Sequence, residues 1–289
     1  MSFLDADSFT YDGENSDTYD LLICWVDDKP DVSNNGLRRS VENSHVNHVR
    51  FKTSNYEVNH DGNIEFSFYV IKKDQTSFTR HESMSINQWL TKSVTPKKLV
   101  FNDYIVPSIH YYAVCTEIED ISYHGHEAKK ITFKTNSPYG FMHTLERRFI
   151  VSGTETFEIY NPSDMANGYY YPKVLISTSS DNDIVIENMS DQKSVTFNFH
   201  HLTTNSEGKK NILIENASMK VLDGNNANRL IPCYQLGWDL DYSSYVSATD
   251  TNMDQLYWLR LVNGINQIKI TGECDVTFIF EFPRKVGCL

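Results

Sequence analysis

Between Trp258 and Pro283 the chain reads WLRLVNGINQIKITGECDVTFIFEFP, and from Ile268 onward its apolar side chains recur at every second position. Ile268 and Ile270 face one way with Gln267 and Lys269 opposite, and Val276, Phe278, Phe280 and Phe282 alternate with Thr277, Ile279 and Glu281. A period of two is that of an extended strand with one face buried and one wet, the signature of antiparallel sheets. Asn263-Gly264 tolerates positive φ and predicts a tight reversal, and a second turn is expected near Gly272. A chain whose clearest signal is this kind must stack sheets to hide their apolar faces, so the expected class is mainly β.

The same texture recurs upstream. Phe9–Ser16 reads as a strand and turn, followed by a second strand at 19–26, together an opening hairpin. Ile64, Phe66, Phe68 and Val70 alternate with Glu65, Ser67 and Tyr69, and residues 110–121 and 128–134 read as a hairpin whose tip is His124-Gly125-His126. Residues 29–50 are polar and read as a loop or extended arm. One stretch, TRHESMSINQWLTK from Thr79 to Lys92, has helical spacing: Ile86, Trp89 and Leu90 fall on one face, Thr79 or Ser77 can cap, and Glu82 sits in the first turn. Gly153, Asn161-Pro162, Asn167-Gly168 and Pro172 crowd 150–172, which predicts a linker and two domains, 1–155 and 156–289. Short strands at 173–177, 183–187, 194–200, 211–215 and 218–222 then predict a purely β second domain.

At 289 residues both domains can bury a core of their own. The formal net charge of −12 repels phosphate backbones and anionic lipid, which argues against specific nucleic-acid binding. Five cysteines, Cys24, Cys115, Cys233, Cys274 and Cys288, are scattered singly and fit a reduced site of synthesis. The acidic first residues lack the basic-then-apolar order of a signal peptide, and no run reaches the roughly 18 apolar residues of a membrane span, so no membrane insertion is expected.

The residues capable of chemistry do not converge. His45 and His48 have metal-pair spacing without a helix or a third ligand, His124 and His126 flank a turn glycine, and His200 and His201 point to opposite strand faces. Asp181, Asp183 and Asp223 sit in Asn-rich turns that form for local hydrogen-bonding reasons, and Asp239 and Asp241 could pair as acid and base only if the fold brings them together. No catalytic residue, cofactor or metal is expected. Trp238, Trp258 and Tyr242, with Tyr169, Tyr170, Tyr171 and Tyr245, could offer an aromatic platform to a sugar ring or a partner, although aromatics also fill sandwich cores.

Taken in order, several segments resemble the distal tail protein (Dit) family of long-tailed bacteriophages. They are FTYDGENSDTYDLLI from Phe9, IEFSFYVIK from Ile64, the helix ending in Trp89-Leu90 and ITFKTNSPYGF from Ile131. NILIENASMKVLDG from Asn211 and RLVNGINQIKITGECDVTFIFEFPRK from Arg260 complete the set. NSHVNHVRFKTSN, residues 43–55, departs from the basic segment such proteins carry there. The resemblance implies an N-terminal β-sandwich with one helix and a β-hairpin that closes a homo-hexameric ring, and a C-terminal galectin-like or carbohydrate-binding-module-like sandwich carried outside it. It implies a virion protein at the phage tail tip joining the tail tube to fibre and receptor-binding proteins. The alternative is a module that recognises host cell-wall polysaccharide. Six copies would carry 6 × −12 = −72, an acidic lumen through which DNA could slide without sticking.

Overall fold

The computed structural model describes residues 6–24, 39–44, 55–60, 62–102, 109–123, 126–164, 168–200, 202–225, 229–231 and 257–285. Among these residues it is mainly β, with one α-helix, and the chain divides into two compact units: residues 1–143 with 283–289, and residues 144–282.

In the first unit the strands are β1 (Phe9–Tyr11), β2 (Glu14–Asn15), β3 (Leu21–Cys24), β4 (Arg39–Ser44), β5 (Asn55–His60) and β6 (Glu65–Lys72). After helix α1 (Arg80–Thr91) come β7 (Lys97–Phe101), β8 (His110–Tyr123), β9 (His126–Thr135) and β10 (Gly140–Phe141). The main sheet runs β2-β1-β7-β8-β9-β6-β3, all antiparallel, and β4 pairs with β5 apart from it. The opening hairpin is β1–β2, turned by Asp12 (φ 52°) and Gly13 (φ 83°), the left-handed pair a two-residue reversal requires. The strand predicted to complete it leaves for the far edge of the sheet, where β3 pairs β6. The Ile23 N–H still reaches back to the Asp7 carbonyl at 3.0 Å, which ties that far edge to the start of β1. Of the two readings of 29–50, loop or extended arm, residues 39–44 are extended, as strand β4.

Helix α1 begins where its caps are. The Glu82 N–H donates to Thr79 Oγ1 at 3.3 Å, and the Thr79 N–H donates to Glu82 Oε2 at 2.7 Å, a reciprocal capping box. Its face of Ile86, Trp89 and Leu90 is buried on Phe9, Tyr11, Leu21, Phe68, Leu99 and Phe133. Trp89 stacks on Tyr19 (ring centroids 4.5 Å) and Phe9 (5.4 Å), and its indole N–H donates to the Tyr11 carbonyl at 3.1 Å. The Thr79 amide, then the Thr79 hydroxyl and Lys72, hold the Glu82 carboxyl down at about 2, against an ordinary 4.5. A carboxylate depressed on folding stabilises fully above its unfolded pKa, and its contribution disappears as pH falls through the folded value. Protection of the first amides of α1 against hydrogen exchange should therefore weaken between pH 4.5 and about 2, and Glu82→Ala should abolish that step. An unchanged step in the variant would exclude the cap as its source.

The second unit is built on β11 (Leu145–Asn161), β12 (Lys173–Thr178), β13 (Ile184–Asn188), β14 (Lys193–Phe197), β15 (Lys210–Glu215), β16 (Lys220–Asp223) and β17 (Gly264–Phe280). Strands β11 and β17 pair antiparallel along their full length, from Leu145↔Phe280 to Asn161↔Gly264. The other edge of β17 is shared. Residues 275–279 pair β12, which leads to β15 and β16, while 268–271 pair β13, which leads to β14. At the junction Gly153 (φ 92°) stands opposite Gly272 (φ 140°). Phe149 and Phe157, eight positions apart on β11, have ring centroids only 4.1 Å apart. A straight strand would separate them by roughly 26 Å. The ribbon is therefore folded at the glycine pair toward its buried face, and its two arms with their attached strands enclose the core, including Ile176, Ile186, Phe197, Ile268, Val276 and Phe278.

Two expectations are overturned here. Gly272 is a bend inside one continuous strand and not a turn, because the buried alternation passes through it from Ile270 to Cys274. Residues 150–161 are strand and not linker, since Gly153 is the matching bend. Strand β18 (Pro283–Arg284) pairs β10 in the first unit.

Candidate functional site

The second unit exposes two candidate surfaces. The first is β11. All seventeen of its residues are paired to β17 on one edge, and among the described residues nothing pairs the other. Most of its side chains are exposed, Ile150 at 72 % and Tyr160 at 64 % among them, and Tyr160 lies directly across from exposed Ile265. Glu146, Arg147 and Arg148 stand in its first half and Glu155 and Glu158 in its second. Arg148 Nε donates to both Asp275 oxygens at 2.8 Å, and this guanidinium holds the Asp275 carboxyl below the usual range. An unpaired strand edge offers a row of N–H and C=O groups to any extended chain.

The second is an aromatic cluster at Arg260. Its guanidinium lies 3.6 Å from the ring centroid of half-exposed Tyr169 and is fixed by Asp191 (Nε to Oδ2 2.7 Å, Nη2 to Oδ1 3.2 Å), itself nearly buried. The Tyr257 hydroxyl accepts from the Arg260 N–H at 3.4 Å, and burial pushes that phenol up to about 12. Tyr170 packs on Phe282 at 4.7 Å, its hydroxyl accepting from the Glu281 N–H at 2.7 Å. One face of Tyr169 is thus occupied by Arg260, and Tyr170 is turned inward.

Of the residues singled out in the sequence, Trp258 is half-buried two positions from Arg260, while Trp238, Tyr242, Tyr245, Asp239, Asp241, His45, His48, His124, His201, Cys233 and Cys288 lie outside the described residues. Asp181 takes the buried Lys210 ammonium, Asp183 accepts from Asn198 Nδ2 at 2.8 Å, and Asp223 caps its own turn through the Asn225 N–H at 2.9 Å. These are local structural bonds and do not converge. Among the described residues no group of three His, Cys, Asp or Glu could hold a metal ion. Burial pushes the thiols of Cys115 and Cys274 up to about 11, which makes them poor nucleophiles. Sequence reasoning missed β11 and the Arg260–Asp191 pair. The first had a signal, since Phe149, Val151, Phe157 and Ile159 keep odd-numbered alternation on both sides of Gly153; the second, 69 positions apart, had none.

Residues 4–137 match a family model described as a phage tail protein N-terminal domain, and residues 139–238 one described as a phage tail C-terminal domain. Among solved structures, the crystal structure of the Dit protein of phage SPP1 shares the fold, with a TM-score of 0.60 over 95 % of this chain and 98 % of that one at 13 % identity. No curated protein matches the chain.

Proposed function

The chain belongs to a family of phage tail proteins, matched in both its domains, and from that premise we propose that it is the hub subunit of the tail tip. As a family member it is a structural protein of the virion tail. In the proposed role six copies close a ring through the N-terminal domain. The C-terminal, galectin-like domain is carried outside that ring, and the assembly joins the tail tube to the fibre and receptor-binding proteins without catalysing a reaction. The observation that carries this reading is the coincidence of two matches over the same domain pair. The tail-protein models cover it from residue 4 to residue 238, and the SPP1 protein, described as a paradigm of the hub adsorption apparatus of phages infecting Gram-positive bacteria, shares its fold nearly end to end. The net charge of −12 per copy supports it, because an acidic lumen lets a polyanion pass. Light scattering behind size exclusion, with negative-stain images, should show six-fold rings; a monomer at every concentration would overturn the reading.

A second reading rests on the half-exposed Tyr169 beside Arg260 and on Trp258, Trp238 and Tyr242: recognition of a host-wall polysaccharide by the C-terminal domain. Titration of the full chain with wall glycans tests it, and a flat response removes it.

A further inference from the structure

The open edge of β11 has a property that its length and charge alone do not convey. Gly153 is the middle residue of the seventeen, and it is the residue at which the strand folds. A straight edge could pair with a second copy in several registers. A bent edge cannot, because both arms stay in contact only if the two bends coincide. We propose that β11 is a self-pairing edge at which a second copy of this chain docks antiparallel about a two-fold axis through Gly153. The register follows without further choice: residues whose numbers sum to 306 stand opposite one another, so Leu145 meets Asn161 and the whole strand is used.

That register places Arg148 opposite Glu158 twice, on the same outward face, since residues directly opposite in an antiparallel pair share a face. Among the described residues Glu158 has no ion-pair partner within its own chain. It also sets exposed Ile150 against Thr156, and the half-buried Phe149 of each copy against Phe157 of the other, extending the contact that already closes the bend. Both arms of each second unit continue into those of the other copy, and the long unpaired edge, otherwise an aggregation liability, is satisfied. The second copy is favoured over an unrelated chain because reversing the strand about its own bend brings Arg148 onto Glu158 on both sides of Gly153, a match that this strand supplies to itself.

This inference does not rest on the ring reading, because the two-fold contact is made by the second unit alone. The test uses the full chain. Sedimentation across a concentration series should show reversible doubling of mass, and Glu158→Arg should weaken that doubling about tenfold, as two attractive contacts become two repulsive ones. Ring images of the same variant report separately on the hub. Independently, Ile150→Cys with Thr156→Cys, which sum to 306, should give an interchain disulfide on oxidation beyond that of the parent. Ile150→Cys with Ser152→Cys, which sum to 302, should not. Unchanged doubling in Glu158→Arg, or equal cross-linking in the two cysteine pairs, overturns the proposal.

Discussion

Replacing Gly272 with valine should destabilise the second unit by about 3 kcal/mol, the sum of a forced left-handed backbone and an overfilled site. The Cβ would lie 3.1 Å from Ile184 Cγ1 and 3.3 Å from the Asp183 carbonyl, at the point where β13 takes over from β12 on the flank of β17. Gly153, directly opposite, isolates the backbone share of that loss. A Cβ there meets nothing within 4 Å, so Gly153→Ala carries only the strain of φ 92°, about 1–2 kcal/mol. Hydrogen exchange of the β12 and β13 amides reads both losses. Equal effects from the two variants would mean that crowding at Ile184 is relieved elsewhere, and a loss below about 1 kcal/mol at Gly272 would mean that the bend is not fixed by backbone conformation.

In the first unit the largest single loss is expected at Trp89. Truncation to alanine removes a side chain buried between Phe9 and Tyr19 together with its hydrogen bond to the Tyr11 carbonyl, for about 3–5 kcal/mol. Trp89→Phe keeps a stacked ring and loses the hydrogen bond with part of the volume, so it should cost less than half as much. Urea midpoints of the exchange-protected β1 and β6 amides measure the difference. Identical midpoints for the two variants would show that volume in this pocket is immaterial and that only the indole N–H counts.

The fold class was legible in the sequence because its cause is local. Alternation at Ile268, Ile270, Val276, Phe278 and Phe280 is buried as read, and Thr79, Glu82, Ile86, Trp89 and Leu90 define α1 to within a residue of its ends. The path of the chain was not, and glycine is the reason. At Asp12-Gly13 a positive φ reverses the chain, whereas at Gly153 and Gly272 the same freedom bends a strand that goes on, and one residue's φ preference does not tell these apart. What distinguishes them is the partner across the ladder, here more than a hundred positions away. The candidate surfaces failed to show for a related reason. An open edge is a fact about which strands are neighbours, and the Arg260–Asp191 pair exists only after β13 and β17 have met.

The pairing of β11 with β17 also sets the order in which the protein can come into being. Asn161 and Gly264, which face each other in the ladder, are 264 − 161 = 103 positions apart, so the ribbon shared by both layers has no second strand until that long loop closes. In the first unit, β18 joins β10 only once residues 283 and 284 are available. A nascent chain therefore lacks the last strand of each unit, β17 in the second and β18 in the first, until synthesis has passed residue 284.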